Sequence, residues 1–214
     1  LTASEMLDEV YTAQADSGER VGGVVMMGIG EPLDNFDNVM AFLEILSDPR
    51  GLNLSLRHVS LSTCGLVDRI YALAERRLQL TLSVSLHAPN DAIRSRSMPV
   101  NARYNVDTLL RACRDYFAAT GRRISFEYAL IAGENDAPEH AAELAARLRG
   151  MGAHVNLIPV NPVAETGYRR GDRAAVERFQ NELRLRGVNA TIRRGLGADI
   201  NAACGQLRRQ GAEA

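Results

Sequence analysis

Cys204 stands in Asp199-Ile200-Asn201-Ala202-Ala203-Cys204-Gly205-Gln206-Leu207, among side chains too small to shield a thiol. An unshielded cysteine can act as a nucleophile once deprotonated, whereas a packing cysteine is usually ringed by larger apolar neighbours. These residues leave both roles open. Cys113 lies on the stripe Leu109, Leu110, Cys113, Phe117 of one helix face and is read as core. Cys64 ends an apolar run where it could line a cleft, but no partner for it is visible, so packing is the expectation.

A carboxylate is the second reactive group. In Val24-Val25-Met26-Met27-Gly28-Ile29-Gly30-Glu31-Pro32 an apolar run stops at two glycines, an acid and a proline, the pattern of a buried strand emptying into a shaped loop. Glycines allow close approach of backbone to a ligand, and Pro32 stiffens the exit. Only Gly28 and Gly30 fit a dinucleotide fingerprint, and Glu31 would set a negative charge where a pyrophosphate belongs. A carboxylate held there suits a cation such as an amino-acid amine; the alternative is a tight turn with Glu31 solvated. His87 follows a strand and precedes Ala88-Pro89-Asn90, placed to bond a ligand or to fix its own loop. His58, His140 and His154 are expected to be non-catalytic, and no Ser-His-Asp order, H-E-x-x-H or phosphate loop occurs.

Such groups need strand ends to hold them. Helical spacing is predicted from Ser4 to about Ser17, past Pro32 to Pro49, from Val67 to Arg77, from Asn105 to Thr120, from Pro138 to Arg149 and from Arg173 to Arg186. Strands are predicted up to Met27 and over Val59–Thr63, Leu78–Leu86, Ile124–Leu130, Val155–Pro159 and Ala190–Ile192, with apolar bodies suited to a sheet covered on both faces. Residues 92–104 are expected to form a long functional loop. Six alternations of strand and helix predict an α/β fold, either an open doubly wound sheet or a whole or partial barrel of parallel strands with outer helices. In both, ligands gather at strand carboxyl ends, so one large cleft across that face is expected.

A length of 214 residues suits one domain with a full core, and the net charge of −1 does not indicate a globally basic nucleic-acid binder. From Asn161 onward there are ten arginines against six acids, a weakly basic C-terminal third. All 25 basic residues are arginine, which a GC-rich coding sequence explains more simply than phosphate recognition. Three widely separated cysteines without C-x-x-C argue against a disulfide scaffold or structural zinc, and no window reaches a membrane span. The start Leu1-Thr2-Ala3 is neither a signal peptide nor a Met start, so the expectation is a cytoplasmic chain cut at its N-terminus.

In this order and at this spacing, Gly28-Ile29-Gly30-Glu31-Pro32, Ser62-Thr63-Cys64-Gly65, Ser85 to Asp91, Asn156 to Pro162 and Asp199 to Leu207 resemble segments of the radical SAM RNA methyltransferases that methylate adenine at C2, the RlmN family. The resemblance runs from Ser4 to about Leu207 and implies the radical SAM partial barrel of six strands. It implies that Gly30 and Glu31 hold the methionine amine of S-adenosylmethionine, that Ser62, Ser85, the backbone of Leu86 and His87 line the rest of the site, and that Asn161 meets the adenosine part. It also implies that Cys204 is itself methylated and presents the methyl carbon to the base. Adenine C2 is electron-poor and cannot attack a sulfonium, so a radical made on the methylated thiol adds to it instead. Ribosomal RNA, and transfer RNA beside it, are the implied substrates, with an external electron donor and no membrane partner.

The family's C-x-x-x-C-x-x-C, which binds a [4Fe–4S] cluster through three thiolates, does not occur in these residues. The resemblance places it, a resolving cysteine and a proton-accepting glutamate upstream, so the chain is expected to be a single catalytic-core fragment, 1–214, inactive alone and without the first β/α unit. The rivals are the sister family that methylates C8, against which Pro32 after Glu31 stands, and a barrel domain that binds RNA without chemistry.

Overall fold

The computed structural model describes residues 1–27, 29–160 and 167–193. Seven helices, α1 Ala3–Ser17, α2 Phe36–Ser47, α3 Val67–Glu75, α4 Asp91–Ser97, α5 Val106–Thr120, α6 Pro138–Leu148 and α7 Arg173–Leu185, alternate with six strands among the described residues. The strands are β1 Val24–Met26, β2 Val59–Thr63, β3 Thr81–Ser85, β4 Ile124–Leu130, β5 His154–Pro159 and β6 Asn189–Ile192. They form one sheet in the order β1-β2-β3-β4-β5-β6, every pair parallel. Strictly sequential order with right-handed crossovers puts the helices on one side, the partial barrel among the alternatives above.

Start signals lie in the residues themselves. Thr2 caps α1 by accepting from Glu5 N–H while the Glu5 carboxylate accepts from Thr2 N–H, a reciprocal box two residues earlier than the expected Ser4. Asn105 and Asp172 cap α5 and α7 through their side chains, accepting from Thr108 and Ala175 N–H. Residues 92–104 are not an open loop: Asn90 accepts from Ile93 N–H to start α4, and a 3₁₀ turn Pro99–Ala102 follows.

The sheet differs from the expected two-sided burial. One face carries Leu61, Leu82, Val84, Ile124, Phe126, Tyr128, Val155, Leu157 and Ala190, all 0% exposed beneath the helices. Burying each large one stabilises the fold by about 1.5–3 kcal/mol. Alternate positions put Ser60, Ser62, Ser83, Ser85, Ser125, Glu127, Asn156 and Thr191 on the other face, in register across the strands. The inner wall of the partial barrel is polar over β2, β3 and the starts of β4 and β5, while Val25, Ala129 and Ile158 share the same face. Period-two alternation, read above as continuous apolarity, is what the segments Ser60-Leu61-Ser62 and Ser125-Phe126-Glu127 contain.

Candidate active site

At the carboxyl end of β1, Glu31 immediately precedes the 3₁₀ turn Pro32–Asn35, and its Oε1 accepts the Leu33 amide N–H at 3.1 Å. Oε2 reaches to the end of β2 and accepts the Cys64 amide N–H at 2.6 Å. The partly buried carboxylate is therefore fixed between two strand ends, and its acceptor sites are not all used, which leaves room for a cationic ligand. Cys64 has a partner after all: burial, together with its thiol hydrogen bond to Glu31 and that residue's charge, pushes its pKa up to about 12. It remains a protonated donor, not a nucleophile. Cys113 is wholly buried, as expected, and desolvation pushes it up to about 12 as well.

His87 follows β3 with φ 58°, a left-handed conformation rare outside glycine. Three bonds hold it: its N–H donates to Glu127 O at 3.2 Å, its carbonyl accepts from Asn135 Nδ2 at 2.8 Å, and ring Nδ1 accepts from Ala129 N–H at 3.0 Å. Accepting at Nδ1 requires a neutral ring, whose proton then sits on Nε2. Desolvation, reinforced by the Arg94 charge, lowers the His87 pKa from 6.5 to about 4. Both roles offered by the sequence coexist, since the ring fixes β4 and keeps an Nε2–H donor for a ligand. An unfolded chain binds a proton near pH 6.5 where the folded one does not, so stability is expected to fall as pH drops from 6.5 towards 4, by up to about 3 kcal/mol. An imidazole titration followed by NMR checks this; a His87 midpoint near 6.5 would refute the locked neutral ring.

Arg94 is the functional residue least visible in the sequence. It is 0% exposed on α4, and its guanidinium donates to Cys64 O at 2.7 Å, Leu86 O at 3.1 Å, Ser85 O at 3.2 Å and Asn101 Oδ1 at 3.0 Å. Asn101 in turn donates to Asp91, which also accepts the Val106 N–H that begins α5. One cation thus ties the ends of β2 and β3, and the segment expected to be a loop exists to deliver it. Gly65 sits against it at φ 108°: a Cβ there would meet Leu109 at 3.0 Å and Arg94 Nη2 at 3.3 Å.

Of the expected site residues, the structure gathers Glu31, Ser62, Ser85, Leu86 and His87 at the ends of neighbouring strands, with Gly30 beside Glu31. The Leu86 N–H is bonded to Glu127 O at 3.1 Å, and its side chain is buried. Glu127, missed in the sequence, lies in one row with Ser85, Asn156 and Thr191. It is 5% exposed and accepts from Ser125 Oγ at 3.1 Å and Asn156 Nδ2 at 2.7 Å, while burial raises its pKa. The polar alternation Ser125-x-Glu127 was its only signal. Gly28, Asn161 and Cys204 lie outside the described residues.

These residues suit S-adenosylmethionine: an anchored carboxylate for the amine, a fixed donor, and a polar wall. They do not supply an iron–sulfur site, because among the described residues no group of three or more His, Cys, Asp or Glu could hold a metal. A groove of about 600 Å³ lined by Gln14, Arg20, Leu52 and Asn53 opens at the opposite end of the sheet and is not this site.

A family model described as the radical SAM superfamily matches residues 2–145. A probable dual-specificity RNA methyltransferase RlmN from Desulforamulus reducens is 54% identical over 210 residues, covering 98% of this chain and 60% of that protein. Its counterpart from Alkaliphilus oremlandii is 52% identical over 210 residues, covering 98% and 61%. The crystal structure of a radical SAM methyltransferase from Sphaerobacter thermophilus superposes with a TM-score of 0.92 at 46% identity, over 96% of this chain and 61% of that one. The chain thus spans about three fifths of the length of each of these relatives.

Proposed function

The chain belongs to the radical SAM superfamily, and from that premise we propose that it is the cofactor-binding core of an RNA methyltransferase that uses S-adenosylmethionine to methylate adenine at C2. The observation that carries the reading is the Glu31 carboxylate, anchored by Leu33 and Cys64 N–H groups at the carboxyl face of the sheet, in a chain half identical to RlmN proteins. Gly30 and Glu31 take the methionine amine. Ser62, Ser85, the Leu86 backbone and the His87 Nε2–H line the cofactor, Asn161 meets its adenosine part, and Cys204 carries the methyl group to the base. The cofactor supplies that group and, with a [4Fe–4S] cluster and an external electron donor, the one-electron chemistry that an electron-poor carbon requires. The cluster's thiolates belong to protein outside these 214 residues. Transfer RNA as a second substrate beside ribosomal RNA, and a cytoplasmic location, are parts of the same proposal; no helix among the described residues is long and apolar enough to cross a membrane.

The test uses the full-length protein, reconstituted with iron and sulfide without oxygen and incubated with S-adenosylmethionine, a reductant and ribosomal or transfer RNA. Nucleoside mass spectrometry is expected to find 2-methyladenosine. Finding 8-methyladenosine would reassign the enzyme to the sister family, and no methylated base at all would overturn the reading.

Glu31→Gln keeps the shape and removes the charge. It is expected to weaken S-adenosylmethionine binding by about 1.5–3 kcal/mol, roughly 10- to 100-fold, because a charge-assisted contact to the amine is lost. Calorimetry on the reconstituted protein checks it, and an unchanged Kd would remove Glu31 from the amine site.

A further inference from the structure

In an all-parallel sheet every helix-to-strand connection opens at one end, opposite the carboxyl ends that hold the site. Here those six connections are residues 18–23, 48–58, 76–80, 121–123, 149–153 and 186–188. Together they hold nine arginines against two carboxylates, Glu19 and Asp48, and none lacks an arginine. These connections therefore carry a surplus of seven positive charges in a chain whose net charge is −1. At the other end, the connections leaving β1 and β4 carry Glu31, Asp34, Glu134 and Asp136 and no arginine.

Helix C-termini attract cations and accept bonds from them, which accounts for part of this pattern. Arg20 and Arg122 donate to the carbonyls of Leu52 and Leu80, and Arg50 and Arg186 pair with Asp48 and Glu182. Arg76 lies over the Phe36 ring, 6.0 Å from its centroid. Arg57, Arg77, Arg123 and Arg149 remain: all four are exposed, and no ion pair to them is found among the described residues. Like charges so collected repel one another, a cost that local capping does not require. Arg77 adds a second sign. It adopts φ 49° at the junction after α3, where Gly18, Gly121, Gly150 and Gly187 take the left-handed position after α1, α5, α6 and α7. An arginine stands where glycine is the unstrained choice.

We propose that this end of the barrel is a second RNA-binding surface, which takes the phosphate backbone without regard to sequence. The inference rests on the RNA methyltransferase reading and adds to it a contact remote from the reacting base. Neighbouring strands lie about 4.8 Å apart, so arginines on successive connections form a row of charge rather than one pocket. A row suits a polyanion, and guanidinium groups grip phosphates in bidentate fashion. A large RNA can then lie on the site face with one segment and on the basic end with another.

The test compares the full-length protein with its Arg57→Gln/Arg77→Gln/Arg123→Gln/Arg149→Gln variant, with protein-free ribosomal RNA as probe. The slope of log K against log salt is expected to shrink by about one unit per lost phosphate contact, about three to four in all, with S-adenosylmethionine affinity unchanged. Arg77→Gly guards against misfolding: it should raise the thermal midpoint by about 2 °C while lowering the slope by about one unit. If both variants keep the parental slope while the parent binds and methylates RNA, the surface is refuted and the enzyme reading stands. If the parent binds no RNA, the enzyme reading fails and this inference with it. Parental RNA slopes combined with arginine-dependent binding of polyglutamate or phosphatidylserine vesicles would assign the surface to an acidic protein or a membrane, and would equally overturn the proposal.

Discussion

Arg94→Met is expected to destabilise the fold by about 3 kcal/mol. The substitution removes the guanidinium donors to Cys64 O, Ser85 O, Leu86 O and Asn101 Oδ1 in a place without solvent. Each buried polar group left unpaired costs about 1–3 kcal/mol, and several are orphaned together. Opposing this, a buried guanidinium is itself expensive: burial lowers the Arg94 pKa, and no carboxylate bonds to it directly. Methionine relieves that desolvation, which offsets part of the loss and keeps the net figure near 3 rather than double it. Arg94→Lys retains a charge but not the planar fork, and should recover only part of the difference. Urea denaturation measures both variants, and a loss below about 1 kcal/mol for methionine would show that the strand ends hold themselves. Ring titration supplies a separate reading, since removing the Arg94 charge should let His87 titrate higher than about 4.

Cys204→Ala in the full-length enzyme is expected to yield no methylated RNA, while S-adenosylmethionine binding stays close to that of the parent. Under the proposed function Cys204 is the methyl carrier, and Glu31 and His87 are untouched by its loss. After incubation with S-adenosylmethionine, peptide mass spectrometry should place an added methyl on the peptide holding Cys204. The two described cysteines are unsuited to that role: Cys64 is held protonated against Glu31 and Cys113 is sealed in the core, both near 12. A methyl found on Cys64, or 2-methyladenosine made by Cys204→Ala, would defeat the assignment.

The site was legible where its signal is local. Gly30-Glu31-Pro32 announces a carboxylate at a strand end within three residues, and the structure puts it there. Strand boundaries at Val59–Thr63 and Ile124–Leu130 followed from β-branched and apolar runs bounded by polar turns. Arg94 was not legible because its acceptors are mostly main-chain carbonyls, up to 30 residues away in sequence, and a carbonyl carries no side-chain identity. The polar inner wall was overlooked for another reason. Serine is small enough to pass for filler in an apolar run, and only the register of β2, β3 and β4 shows that Ser62, Ser83 and Ser125 face one way.

Sequential strand order also sets where the molecule opens. β3 and β4 are each hydrogen-bonded on both sides, whereas among the described residues β1 pairs with β2 alone and β6 with β5 alone. Local unfolding costs least where a strand has one neighbour and few residues, and β1 has three. Glu31 therefore hangs from an element that can unzip on its own, while His87 rides on the most protected part of the sheet. A ligand that bridges the two residues ties a fraying margin to a rigid centre, and amide exchange in β1 should slow far more on binding than exchange in β3.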